Sequence, residues 1–289
     1  MALLLSLLPL LLQVGPNAAP SASPAPRGVE GRDGTKKPGL PPAAATLPPP
    51  QTSRGQICRA ALTGPASEAI ETAAAWVASA KPDEKAEAEA CLGMAYVAAG
   101  QFDQAEIVLV SARGDAGADR LARASYGAMA GNAALAGGAA DRALALLDTA
   151  HTDAKGLGDD VMAGTIALDR ARGLVALKRL PEAETALAEA RGADPSDASA
   201  WLLSATLARR MGKLAEAQAH IEKAAELMPI DPAIGLEAGV IAVLAGRDDA
   251  ARKSWQSVIK AGPASPEADQ AREYLAQLGP ATAPSAAPK

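Results

Sequence analysis

The chain has 289 residues, enough for one large domain or for an extended array of smaller units. Hydrophobic residues make up 49% of the sequence but aromatic residues only 2%, so alanine and leucine carry most of the apolar content and favour close-packed helices over a sheet. The net charge of −5 argues against nucleic acid as the main partner.

The N-terminus, residues 1–12, is almost entirely leucine and alanine. A run of this length is too short to cross a bilayer as a helix, but it suits the apolar core of a signal peptide. Small residues follow at Asn17 to Ala22, where a peptidase would cut. We therefore assign residues 1–22 to a signal peptide and expect an exported protein, periplasmic or associated with the cell envelope, with no stable membrane span in the mature chain. The alternative is a chain tethered to the membrane by an uncleaved N-terminal segment.

Residues 23–52 are dense in proline, alanine, serine and glycine, and residues 279–289 have a similar composition. Such segments bury too little apolar surface to offset the entropy lost on ordering. We expect the first to be a disordered linker and the second a disordered tail.

Between these segments the sequence repeats at intervals of roughly 34 residues. One column of the repeat holds an alanine: Ala105, Ala143, Ala183, Ala217 and Ala251. Four positions later comes a large apolar residue: Leu109, Leu147, Leu187, Ile221 or Trp255. Five positions before the alanine comes a turn residue: Gly100, Gly138, Lys178, Gly212 or Gly246. Repeats of this length are typical of stacked helical pairs that cannot bury their apolar faces alone.

Residues 198–231 show the pattern in full, and it is carried by Trp201, Ala205, Ala217, Ile221, Ala224 and Pro229. This order of large, small and apolar residues resembles the tetratricopeptide repeat family. The resemblance covers residues 53–278 and implies an all-α fold, a right-handed superhelix (α-solenoid) of helix-turn-helix repeats with a C-terminal capping helix. The implied units are a degenerate one over 53–83, followed by 86–119, 124–157, 164–197, 198–231 and 232–265, with the capping helix at 266–278. Ala268, Ala271, Leu275 and Leu278 are expected to face inward from that helix.

The resemblance also implies a concave groove lined by the first helix of each repeat. The candidate groove residues are Asn132, Arg172, Val175, Leu202, Thr206, Arg209, Arg210, Leu236 and Val240. This lining is largely apolar with isolated cations, and the basic clamp of some family members is missing because Ala90, Ala128 and Leu168 occupy its positions. We therefore expect the groove to hold a protein or an extended apolar peptide, with Arg172 and Arg209 orienting it.

In the family's register, Cys58 and Cys91 lie beside each other on adjacent first helices. An exported protein can keep a disulfide there, and closing this loop of about 33 residues would contribute roughly 3.5 kcal/mol. The alternative is a pair of small buried residues with free thiols.

The sequence offers no catalytic constellation. Its two histidines, His151 and His220, belong to different repeats, and no zinc-binding spacing or phosphate-binding glycine loop occurs. We expect a protein that is not an enzyme, with no catalytic residues, no cofactor and no metal. The leading interpretation is a binding scaffold; the alternative is a structural subunit of an envelope assembly or a self-associating array, and the sequence leaves the oligomeric state open.

Overall fold

The structure, a computed structural model, describes residues 53–279. Within that range the chain forms thirteen α-helices and no β-strand, and each helix packs against the next along the chain. The predicted signal peptide, the linker up to residue 52 and the tail from residue 280 lie outside the described residues. None of the helices over 53–279 is long and apolar enough to cross a membrane.

The helices form six pairs followed by a single thirteenth helix. The first helices of the pairs are α1 (Arg54–Ala61), α3 (Lys85–Ala98), α5 (Arg120–Ala136), α7 (Asp160–Ala176), α9 (Ala198–Arg210) and α11 (Pro232–Leu244). The second helices are α2 (Ala66–Ser79), α4 (Phe102–Asp115), α6 (Ala140–Leu157), α8 (Leu180–Ala193), α10 (Leu214–Leu227) and α12 (Asp248–Ala261), and α13 is Pro266–Leu278. The prediction of an all-α solenoid of helical pairs is confirmed.

The alanine column lies where the two helices of a pair come closest. All five of its alanines are fully buried, as are the large apolar residues one turn later. In three pairs the large residue packs directly on a glycine of the first helix. A Cβ atom at Gly93 would lie 2.5 Å from Leu109, and one at Gly239 would lie 2.1 Å from Trp255. Small residues in these columns therefore set the spacing of the helices.

The predicted units 86–119, 124–157 and 164–197 are separated by four and six additional residues. In the structure these insertions lengthen helices rather than loops. First helices have 13 residues in the regular pairs α9–α10 and α11–α12, but α5 and α7 have 17. The second helices of those regular pairs have 14 residues, but α6 has 18. Each of the three is longer by about one turn. The longer helices α5 and α7 begin at capped ends, since Asp119 accepts a hydrogen bond from the Ala122 amide (3.0 Å) and Asp159 accepts one from the Met162 amide (2.9 Å).

Five of the pairs share one turn geometry, and Lys178 adopts it without being a glycine. Its φ is +61°, beside values such as +75° at Gly212. In both turns the next amide donates to a carbonyl in the last turn of the first helix, from Arg179 to Leu174 (2.8 Å) and from Lys213 to Ala208 (2.9 Å). The left-handed conformation costs a residue with a side chain about 1–2 kcal/mol.

We expect Lys178→Gly to raise the free energy of unfolding by about 1 kcal/mol, because glycine adopts this conformation without the steric penalty. Urea titration would measure the change. Gly212→Lys is the matched control at the equivalent turn, and it should lower stability by a similar amount. A destabilised Lys178→Gly variant would contradict this account of the turn.

The thirteenth helix covers the last pair through a face different from the expected one. Ala268 and Ala271 are buried as predicted, but the third buried residue is Tyr274, whereas Leu275 and Leu278 are half-buried. The ring of Tyr274 packs on Trp255, with centroids 5.1 Å apart. An aromatic contact with the preceding second helix thus turns α13 by about one residue from the predicted face.

Candidate binding surface

The predicted groove residues lie on the first helices α5, α7, α9 and α11. We call the surface that these residues form the first-helix face. Val175, Leu202, Thr206, Leu236 and Val240 are half-buried, whereas Asn132, Arg172 and Arg210 are exposed. Half-burial leaves part of each apolar side chain in contact with solvent in the described array.

Asn132 and Arg172 are brought together by a buried acid that the sequence analysis did not select. Asp169 on α7 accepts a hydrogen bond from the Asn132 side-chain amide on α5 (2.7 Å). Its other carboxylate oxygen pairs with Arg172 one turn along the same helix. The side chain of Arg172 remains 41% exposed, so its guanidinium still reaches solvent although it is partly neutralised.

Arg209 is held in a second tie between first helices. Its Nε lies 2.6 Å from Oε1 of Glu237 on α11, and its Nη2 lies 3.3 Å from Oε2. The side chains are only 9% and 10% exposed, so this is a buried two-point ion pair. The sequence-based view of Arg172 and Arg209 as isolated cations is therefore corrected, because each guanidinium has a carboxylate partner within the array.

The electrostatic influence of Glu237 extends to the end of the array. Burial raises the pKa of the Tyr274 hydroxyl, and the charge of Glu237 raises it further, whereas Arg209 opposes this. Arg209 and Glu237 offset one another, and Arg210 beside them carries an exposed positive charge.

The repeat pattern of the sequence could have indicated that Asp169 and Glu237 are buried. Asp169 and Glu237 occupy the same position of the repeat unit, two repeats apart, on the side of the first helix that faces the preceding repeat. A charged residue at a buried column needs a partner.

The two histidines lie away from the first-helix face, on second helices. His151 on α6 is 3.0 Å from Glu189 of α8, which also pairs with Lys155. His220 on α10 packs against the ring of Trp201, with centroids 5.6 Å apart. Within residues 53–279, no group of three His, Cys, Asp or Glu side chains is placed to hold a metal ion.

The two cysteines meet at the N-terminal end of the array. Cys58 on α1 and Cys91 on α3 are both buried, with their Sγ atoms 1.95 Å apart and their Cα atoms 6.1 Å apart. The Cα separation lies in the range of protein disulfides. Beside the bridge, Trp76 and the two cysteines line a cavity of about 220 Å³, and the indole nitrogen of Trp76 is buried with no acceptor among residues 53–279.

The paired helices and the row of equivalent positions on the first helices define an α-solenoid of helix-turn-helix repeats. No family model and no curated protein matches the sequence. Solved structures are similar to it. PilW, described as a widely conserved type IV pilus biogenesis factor, superimposes with a TM-score of 0.62 and 17% identity, covering 75% of this chain and 96% of that one.

Two further similar structures carry the name of the repeat. A thermophilic TPR protein of Thermus thermophilus gives a TM-score of 0.52 and 19% identity, covering 67% of this chain and 98% of that one. YrrB, described as a TPR protein with an unusual peptide-binding site, gives 0.50 and 18%, covering 71% of this chain and all of the other. The chain has the tetratricopeptide repeat fold, and identities this low establish the fold alone.

Proposed function

We propose that the chain is a non-catalytic scaffold that binds an extended apolar segment of another protein on its first-helix face. The observation that supports this most directly is the set of half-buried apolar side chains on three successive first helices, Val175, Leu202, Leu236 and Val240, of which Leu202 and Leu236 occupy the same position of the repeat. Val97 on α3 and Leu244 at the end of α11 add exposed apolar surface on the same series of helices. Burying such a row on binding supplies free energy in proportion to the apolar area removed from water.

One ion pair and one hydrogen bond between neighbouring first helices fix the distance between the helices that form this surface. Arg209 and Glu237 join α9 to α11, and Asn132 and Asp169 join α5 to α7. A rigid surface loses less conformational entropy when a ligand binds. Of the two arginines expected to orient a ligand, Arg172 is the one with solvent access, so it is the one we expect to bind a ligand carboxylate. The peptide-binding site in the description of YrrB supports a peptide ligand for this fold.

We further propose that the protein acts in the periplasm or cell envelope. The support is the leucine-rich N-terminal run followed by small residues, together with the placement of Cys58 against Cys91. Disulfides persist in exported proteins and are rare in reducing compartments.

A second candidate function is that of a structural subunit. The added turns of α5, α6 and α7 carry the exposed apolar side chains Leu121, Leu157 and Val161 at one end of the three helices. Arg120 donates to the Gly156 carbonyl (2.9 Å), which places the added turns of α5 and α6 together. Exposed apolar clusters are frequent at protein interfaces. A stable oligomer in a size measurement, lost on Leu121→Asp, would favour this reading.

Panning a displayed library of random peptides against the purified chain tests the leading proposal. We expect selected peptides to be apolar and to lose at least about tenfold in affinity for Leu202→Asp, since a charge would sit in the centre of the apolar row. Val240→Asp provides a second variant on the same face. Ile107→Asp is the control, because Ile107 is 70% exposed on the second helix α4. Peptides that bind folded Leu202→Asp as they bind the original chain would exclude the first-helix face.

A further inference from the structure

A second cavity lies on the other side of the array, between the second helices α8 and α10 and the first helix α9. It measures about 220 Å³. Its apolar walls are Leu187, Leu207 and Ala208, and its polar lining is Glu184, Arg191, Ser204, Glu216 and His220. None of the candidate groove residues contributes to it, so whatever binds here is independent of the function proposed above.

Arg191 is the cation of this cavity, and it has no carboxylate within salt-bridge distance among the described residues. Its Nη1 donates to the Ser204 hydroxyl, whose own proton goes to the Ala200 carbonyl (2.7 Å). The guanidinium lies over the Trp201 ring, 5.2 Å from its centroid. Burial lowers the pKa of Arg191, and Glu184 partly opposes this. The guanidinium is thus fixed in orientation, partly desolvated, and left with donors for a further acceptor.

The other charged or titratable groups around the cavity are two carboxylates, one lysine and one histidine. Lys213 lies 2.5 Å from Glu184 and 3.7 Å from Glu216, so the two acids share one cation. His220 also packs on the Trp201 ring, and its pKa is lowered by burial and then by the charge of Arg191, while Glu216 and Glu184 oppose this. Arg191 is the remaining fixed positive charge, and it lies next to the apolar walls.

We propose that this cavity binds a carboxylate carried on a small apolar group, with Arg191 as its cationic partner and Leu187, Leu207 and Ala208 around the apolar part. A guanidinium presents its donors in a plane that matches the two oxygens of a carboxylate. The volume admits a short ligand rather than a folded segment. The carboxylate can come from the C-terminal residue of a peptide or from a free small carboxylic acid.

The two histidines of the chain make the test specific. N-acetyl-alanine is titrated into the labelled, purified chain, and the ring resonances of His220 and His151 are followed between about pH 5 and pH 8. A carboxylate beside Arg191 favours the protonated imidazole, so binding should raise the pKa of His220 and leave His151 unchanged. By linkage, affinity should increase as the pH falls through the pKa of His220, because the protonated ring adds a positive charge to the site.

Four comparisons decide the outcome. N-acetyl-alaninamide, which lacks the carboxylate, should produce no effect. Arg191→Gln should weaken binding of N-acetyl-alanine roughly tenfold to a hundredfold, whereas Arg170→Gln, at a surface pair with Asp148, should not change it. With Trp201 as the sole tryptophan, quenching of its fluorescence gives a second readout in His220→Gln, where binding should persist without its dependence on pH. Propionate, which keeps the methyl group and the carboxylate but lacks the amide, distinguishes the two sources, because binding equal to that of N-acetyl-alanine favours a free acid and weaker binding favours a peptide C-terminus.

The proposal is overturned if the amide acts as the acid does, or if folded Arg191→Gln binds N-acetyl-alanine as the original chain does. It is equally overturned if sodium chloride at the same ionic strength reproduces the change at His220. None of these results bears on peptide binding by the first-helix face.

Discussion

Replacing Arg209 with methionine is expected to lower the free energy of unfolding by about 3–5 kcal/mol. The substitution preserves most of the side-chain volume but leaves the Glu237 carboxylate without its partner between α9 and α11, where it is 10% exposed. A buried charge without compensation is strongly destabilising, whereas its mutual removal with the partner is not. Urea titration with circular dichroism would measure the loss.

The double variant Arg209→Met/Glu237→Leu separates the ion pair from the packing of the two side chains. We expect its stability to return to within about 1 kcal/mol of the original chain, since apolar side chains of similar volume replace a buried pair at little net cost. Arg172→Met is the matched control on α7. Its side chain is 41% exposed, and Asp169 keeps the hydrogen bond from Asn132, so the loss should be below about 1 kcal/mol. Equal losses in Arg172→Met and Arg209→Met would contradict this account.

Removing the bridge between Cys58 and Cys91 is expected to destabilise the N-terminal end of the array by roughly 3.5 kcal/mol. The link joins residues 33 apart, so without it the unfolded chain gains the entropy of an open loop. The helix α1 has only 8 residues, too few to be stable without tertiary contacts. The variant Cys58→Ala/Cys91→Ala should therefore lose order first at α1 and α2.

The tryptophans allow the loss to be localised. Trp76 packs in the same cluster as Cys58 and Cys91, whereas Trp201 and Trp255 lie in later repeats. With Trp76 as the sole tryptophan, its fluorescence transition should move to lower urea in the double alanine variant and in the reduced original chain. Reductant should leave the double variant unchanged. A reduced chain with the transition of the oxidised one would mean that the bridge does not stabilise this end.

The repeat could be predicted because its columns are set by local close packing. The five alanines and the large residues that follow them keep their spacing in any stack of this kind, and the structure buries all of them. The insertions before residues 124 and 164 could be recognised because they increase the spacing between repeats. The sequence did not show whether the added residues belong to helices or to loops. Whether extra residues extend a helix or a loop depends on caps such as Asp119 and Asp159 and on neighbours in the next repeat.

The candidate surface was predicted less completely, because exposure depends on contacts between repeats. Position in the unit placed Asn132, Arg172 and Arg209 on first helices, but not opposite the acids that hold them. Asp169 reaches Asn132, and Glu237 reaches Arg209, from the following first helix, across a distance that the sequence does not specify. Contacts between repeats decide whether Asn132 or Arg209 meets a carboxylate. They also decide whether Arg191 keeps donors for a ligand.

The added turns of α5, α6 and α7 place a limit on the lengths that this array can accommodate. Each residue of an α-helix advances the side-chain direction by about 100°, so four extra residues bring a helix back to within about 40° of its original phase and extend it by about 6 Å. Two extra residues would rotate everything beyond them by about 200° and turn the alanine column away from its partner. Insertions within the helices of this chain are thus admissible only in steps close to whole turns. Packing in this array therefore requires a fixed direction of the apolar stripe around each helix, whereas the length of the helix can vary.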